Sequence, residues 1–229
     1  MTEIDPSIQP YAVELISGLP NFVAVREIQA ELCADAGLPL TAAEPHRASS
    51  PTTFHVACDA TRRPLGVASS AVGPFAELPL GQAMAARGLA LPGPELLEDP
   101  VCELVSIAIT RNAGVERIDG LAEAMYRSFY QRAVASRAAS IAVGVEPWLL
   151  DVLQEEYGIP FQSLGPCFTA AGRTLLPAGG RVADLQAGTL RANPAFAAYL
   201  GIAPDLPGPS DVDVDLAGTE VQPEAPVLA

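Results

Sequence analysis

The sequence predicts an α/β domain, one central mixed sheet with helices on both faces. Two observations carry this. Helical and strand-like segments follow one another as helix, hairpin, buried strand, helix, strand, helix, strand pair. Two strand-like runs, Val101–Thr110 and Ser140–Val145, are apolar on both faces, as strands covered from both sides must be. Composition agrees. Of 229 residues, 49% are hydrophobic and 17% charged, too apolar for a disordered chain and ample for a core.

Each element has its own signal. Residues 1–20 are punctuated by proline and read as a surface segment. Over 21–36, Phe22, Val25, Ile28, Gln29 and Leu32 recur at three- and four-residue steps, and Gly37 and Pro39 stop the helix. Thr53–Cys58 and Leu65–Val72 flank a polar turn and form an antiparallel hairpin. Phe75–Arg87 holds a short helix, and 88–100 is a Pro/Gly-rich loop. After the first buried strand comes the loop Arg111–Ile118. It leads into a helix that Asp119 can cap, with Leu121, Met125, Phe129 and Ala133 as its buried stripe. Pro147 and Trp148 open another helix, ended by Gly158. Phe161–Leu164 and Cys167–Ala170 read as strands, Gly172 as a turn, Ala183–Leu190 as a last helix and Pro194–Leu200 as a further turn. Residues 203–229 are acidic and Pro-rich, the composition of a disordered tail. The expected domain is therefore 21–202.

Charge narrows the function. The 13 basic residues, all arginine, face 27 acidic ones, a formal net of −14. Such a chain repels nucleic acid and anionic membrane, so neither is an expected partner. No apolar run is long enough to span a bilayer, and the start lacks a signal-peptide pattern, so a cytoplasmic location is expected. Cys33, Cys58, Cys102 and Cys167 are far apart, and His46 and His55 are the only histidines. That spacing offers no zinc site, and the thiols are expected to be reduced and buried. No G-x-S-x-G turn supports a serine triad.

Two features converge on a site. A buried strand runs into the loop holding Arg111, Asn112, Gly114 and Arg117, just before a helix N-terminus. Free amides and the helix dipole suit a phosphate there, although an ordinary strand–helix turn has the same look. Glu103 lies inside the apolar strand. A carboxylate facing a core or cavity has a raised pKa and suits a general base; at the strand's outer end it is simply solvated. Residues 104–144 also carry Arg111, Arg117, Arg127, Arg132 and Arg137 against Glu116, Asp119 and Glu123, a balance that suits steering of an anion to this region and equally suits scattered, solvated arginines.

Over most of 22–200 this arrangement resembles the GNAT acyltransferases, more closely the long-chain N-acyl amino acid synthases and acyl-homoserine lactone synthases. Arg26 in VREIQAEL resembles the first-helix arginine, and CELVSIAI resembles the family strand E-x-S-R-F-A-V, with Glu103 on the glutamate. Arg111-Asn112-Ala113-Gly114 matches the first half of the phosphate loop; Glu116 replaces its last small residue. The resemblance implies a sheet whose middle strands splay around a pantetheine arm. The donor would be an acyl-thioester, acyl-CoA or acyl carrier protein, with Glu116 favouring the carrier's single phosphate. The acceptor would be a small-molecule or peptide amine, and no cofactor is held permanently. Glu103 is then the catalytic base. Arg26, Ser106, Ile107 and Ile109 contact substrate, the last two through backbone donors to the oxyanion, and Arg111, Asn112 and Gly114 hold the donor phosphate. Val105-Ser106-Ile107 depart from S-R-F, and Gln154 stands where many members have a general-acid tyrosine, with Tyr157 three residues on. A catalytically degenerate module that binds an acyl-thioester or a protein stays open on those departures, as does a lactone synthase.

Overall fold

The computed structural model describes residues 12–16, 19–35, 52–110, 120–170 and 172–203. Eight strands form the sheet: β1 (Ala12–Ile16), β2 (Thr52–Cys58), β3 (Pro64–Gly73), β4 (Val101–Ile109), β5 (Ser140–Val145), β6 (Gln162–Ser163), β7 (Phe168–Ala170) and β8 (Arg173–Arg181). Their spatial order is β1-β2-β3-β4-β5-β8-β6, with β7 paired to β8. Among the described residues only β4 and β5 run parallel; every other pair there is antiparallel. A parallel pair needs a crossover, and the helix between these two strands supplies it. The helices are α1 (Leu19–Asp35), α2 (Pro79–Ala85), α3 (Leu121–Ala135), α4 (Pro147–Glu155), α5 (Val182–Ala192) and α6 (Pro194–Leu200).

Side-chain alternation along the strands assigns the helices to faces. Phe54, Val56 and Val67 pack on Val25, Leu32 and Cys33 of α1. Val101 and Ala142 pack on Leu80 and Met84 of α2. The residues between them point the other way: Ala57 and Ala68 meet Leu121 and Met125 of α3. On that second face Ile141 and Val143 join Phe129 of α3, Leu150 and Leu153 of α4, Leu185 of α5 and Phe196 and Leu200 of α6. The expected stripe Leu121, Met125, Phe129 and Ala133 is buried throughout. A polar pin crosses this face. His55 of β2 is fully buried, with Nδ1 2.9 Å from the Ser128 hydroxyl of α3 and Nε2 2.8 Å from the Ser70 hydroxyl of β3. Burial first, and the Arg132 charge second, lower its pKa to about 4.

Several expectations are corrected. Residues 12–16 are a strand on the sheet edge rather than loose surface chain. Arg173–Arg181, which carries no strand signal, is β8 and pairs along the whole of β5. The segment Pro194–Leu200 is a helix, opened by the Asn193 side chain accepting from the Phe196 amide at 3.0 Å. Gly120, at φ 82°, holds the N-terminal cap position of α3 in place of Asp119. Asp119 itself, the loop Arg111–Ile118 and the tail beyond 203 lie outside the described residues. Cys33 and Cys102 are buried as expected, but Cys167 is exposed.

Candidate active site

The sheet opens at its middle. β4 pairs with β5 only from Val101↔Ser140 to Leu104↔Val143, yet β4 runs on to Ile109 and β5 to Val145. A bulge explains the parting. On β3, Ser69 opposes Ser106 and Ser70 opposes Leu104, so Val105 is an extra residue on β4. Such an insertion bends its strand, here just where pairing with β5 ends. Beyond Leu104, no strand among the described residues pairs with the β5-side edge of β4. Its backbone donors and acceptors therefore face the opening.

A cavity of about 760 Å³ occupies the split. It passes through the sheet, because its wall includes Gln29 and Cys33 of α1, Gln82 of α2 and Arg87 just after that helix on one face, and Tyr126 and Phe129 of α3 on the other. Leu104–Ala108 and Gly144–Glu146 form the strand lips. The α1/α2 half is polar. Gln29, 2% exposed, donates to the Ser106 hydroxyl at 2.9 Å, and that hydroxyl lies 2.6 Å from Ser69 Oγ. Arg87 donates to the Ala83 and Thr169 carbonyls and lies over the Phe168 ring. Arg173 Nε donates to Glu146 at 3.0 Å, and Trp148 takes the other Glu146 oxygen at 2.8 Å. The half beyond the sheet is apolar, walled by Leu153, Phe161, Leu185, Phe196 and Leu200.

Ser106 and Ile107 stand on the cavity wall; Glu103 and Ile109 do not. Glu103 is buried, 3% exposed, and both carboxylate oxygens lie 3.0 to 3.1 Å from the donating Leu80 amide in the first turn of α2. Desolvation pushes its pKa up to about 8, against the opposing pull of that hydrogen bond. Arg26 lies within α1. Arg111, Asn112 and Gly114 lie outside the described residues. Gln154 donates to the Phe161 carbonyl, and Tyr157 donates to Glu123 at 2.9 Å, so neither side chain reaches the wall. The sequence reading missed Tyr126 and Tyr130, which do line the cavity. Both sit on α3 beside its buried stripe, where an aromatic reads as ordinary packing. The Tyr126 ring meets Tyr157 edge-on at 5.7 Å.

No protein-family model matches this sequence, and no curated protein matches it. Solved structures do. An N-acyl amino acid synthase from uncultured soil microbes, FeeM, superposes with a TM-score of 0.57 at 16% identity, covering 80% of this chain and 98% of that one. The chain has the GNAT fold. A CoA-dependent acyl-homoserine lactone synthase, BjaI, solved with SAM and isopentyl-CoA, gives 0.53 at 15% identity over 85% of this chain and 91% of that one. TofI, in a ternary complex with an inhibitor and MTA, gives 0.55 at 17% over 86% and 98%.

Proposed function

We propose that this protein is an N-acyltransferase that moves an acyl chain from a thioester to an amine. The observation that carries the reading is the cavity through the split sheet, polar on the α1/α2 side and apolar on the α3–α6 side. A thioester arm is an extended chain of amides. The unpaired edge of β4 at Val105–Ala108 offers it strand-like hydrogen bonds. The acyl chain then runs into the apolar half, and the amine arrives beside Gln29, Ser106 and Arg87. The donor is acyl-CoA or an acyl carrier protein, and the acceptor a metabolite or peptide amine. Arg26 would serve the acceptor, and Arg111, Asn112 and Gly114 the donor phosphate.

The chemistry is direct transfer. The neutral amine attacks the carbonyl, backbone donors of the Ile107–Ile109 segment hold the oxyanion, and the carbon–sulfur bond breaks. The ionised fraction of Glu103, which grows as pH approaches its pKa of about 8, takes the amine proton through water, since the carboxylate stands back from the wall. Tyr126 returns a proton to the departing thiolate. Burial raises the Tyr126 pKa, which keeps the phenol protonated until the thiolate needs it. The geometry of Glu103 favours a second reading, in which it is a positioning residue. Its grip on the Leu80 amide fixes α2 and hence Gln82 and Arg87 on the wall.

The test is free-thiol release from acyl-CoA and acyl carrier protein of several chain lengths, with and without a pool of amines. Amine-dependent release with matching N-acyl product is expected. Absence of release with every donor would refute the enzyme and leave a binding module.

A further inference from the structure

The parting of β4 from β5 turns on one inserted residue, Val105, and polar side chains grip the sheet on both faces at that point. The register of β3 on β4 shifts between Ser69 and Ser70, consecutive residues whose side chains point to opposite faces. On the α1 face, Ser69 Oγ lies 2.6 Å from Ser106 Oγ, which accepts from Gln29 Nε2 at 2.9 Å. On the α3 face, Ser70 Oγ lies 2.8 Å from His55 Nε2, and His55 Nδ1 lies 2.9 Å from Ser128 Oγ. Gln29, His55, Ser69, Ser70 and Ser128 are all buried. Buried polar groups add little net stability over apolar side chains of the same shape. Their directional bonds instead select one arrangement.

The α1-face network exists in one register only. Carried on from Ser70↔Leu104 without the insertion, the ladder would set Val105 opposite Ser69 and Ser106 opposite Ala68. A slip of one residue turns every side chain to the other face. Ser106 would then face α3 with Ala68, away from Gln29 and Ser69. The α3-face network holds the partner strand still. It ties β3 to β2 and α3, so β3 does not slide to absorb the extra residue.

We propose that these two networks clamp the bulge and hold the split open, which makes Ser69, Ser70 and His55 positioning residues for the thioester arm. Without the clamp, β4 straightens and goes on pairing with β5 past Leu104↔Val143, along the edge that Val105 and Ser106 now present to the cavity. The consequence for the arm rests on the acyl-transfer reading; the clamp itself does not.

The experiment is amide hydrogen exchange, followed residue by residue by NMR, in the full chain and in its Ser69→Ala and Ser70→Ala variants. Neither side chain lines the cavity, so neither truncation touches a ligand. The Val105–Ala108 amides that face β5 should exchange about fivefold or more slowly in each variant than in the wild type, the worth of one net hydrogen bond. A merely structural loss has the opposite sign, because a loosened sheet exchanges faster. Unchanged or faster exchange in either folded variant overturns the clamp. The dissociation constant of a non-transferable thioether analogue of an acyl-pantetheine should rise by about the same factor. Slower exchange with unchanged affinity, or no binding by the wild type at all, keeps the clamp and overturns the seat of the arm instead.

Discussion

At the residue scale, Glu103 decides most. Desolvation keeps its carboxyl protonated to about pH 8 in the fold, against an ordinary glutamate value of 4.5. Between those values the native state holds a proton that the unfolded chain has released. Stability from this group is therefore highest below pH 4.5 and falls as pH rises towards 8. Glu103→Gln removes that slope. Subtracting the variant's denaturation midpoints from those of the wild type should give a difference that declines from pH 5 to 8. The same variant separates the two roles. A base costs about 100-fold or more in kcat, whereas a residue that only holds α2 leaves kcat largely intact, because glutamine still accepts from the Leu80 amide. A flat midpoint difference would contradict the buried, protonated carboxyl. The identity of this residue as a buried acid was legible in the sequence, from one glutamate in an apolar strand. Its grip on α2 was not, because Leu80 lies 23 positions away and the contact exists only once β4 and α2 are stacked.

At the element scale, the strands most visible in sequence were those with regular apolar runs: the β2–β3 hairpin, β4 and β5. β8 was hidden by its own content. Pro177, Gly179 and Gly180 argue against a strand anywhere but an edge or a bulge, yet β8 lies between β5 and β6. The glycines answer a packing demand. A Cβ on Gly179 would run into the Ile141 carbonyl and come within 3.1 Å of Leu164. Gly179→Ala should therefore lower stability by about 1–3 kcal/mol through overpacking, measured by chemical denaturation. An unchanged midpoint would mean that β8 can draw back from β5 at no cost. β1 was hidden for a different reason. It is only five residues long, follows two prolines, and is recognisable as a strand only through its register on β2.

At the scale of the whole molecule, the sheet is divided by one inserted residue. Val105 bends β4 away from β5 after four paired positions, and the space so opened passes from one face of the sheet to the other. The alternation of helices and strands made the fold class readable from composition and periodicity. The bulge itself leaves no local mark in VCELVSIAI, since an extra valine in an apolar strand looks like any other. Nor does the sequence reveal that α5 and α6 close the apolar half, because their wall residues come from a segment that reads as a helix and a turn. The cavity is a property of how distant elements meet, and its two ends have different chemistry because different helices cover the two faces. The account stands on that opening as the seat of the thioester arm. Its most direct test is a crystal structure with a non-transferable thioether analogue of an acyl-pantetheine. The account predicts the arm hydrogen-bonded along Val105–Ala108, its acyl chain among Leu153, Leu185 and Phe196. An analogue bound elsewhere, or β4 and β5 zipped together beyond Leu104↔Val143, would contradict it.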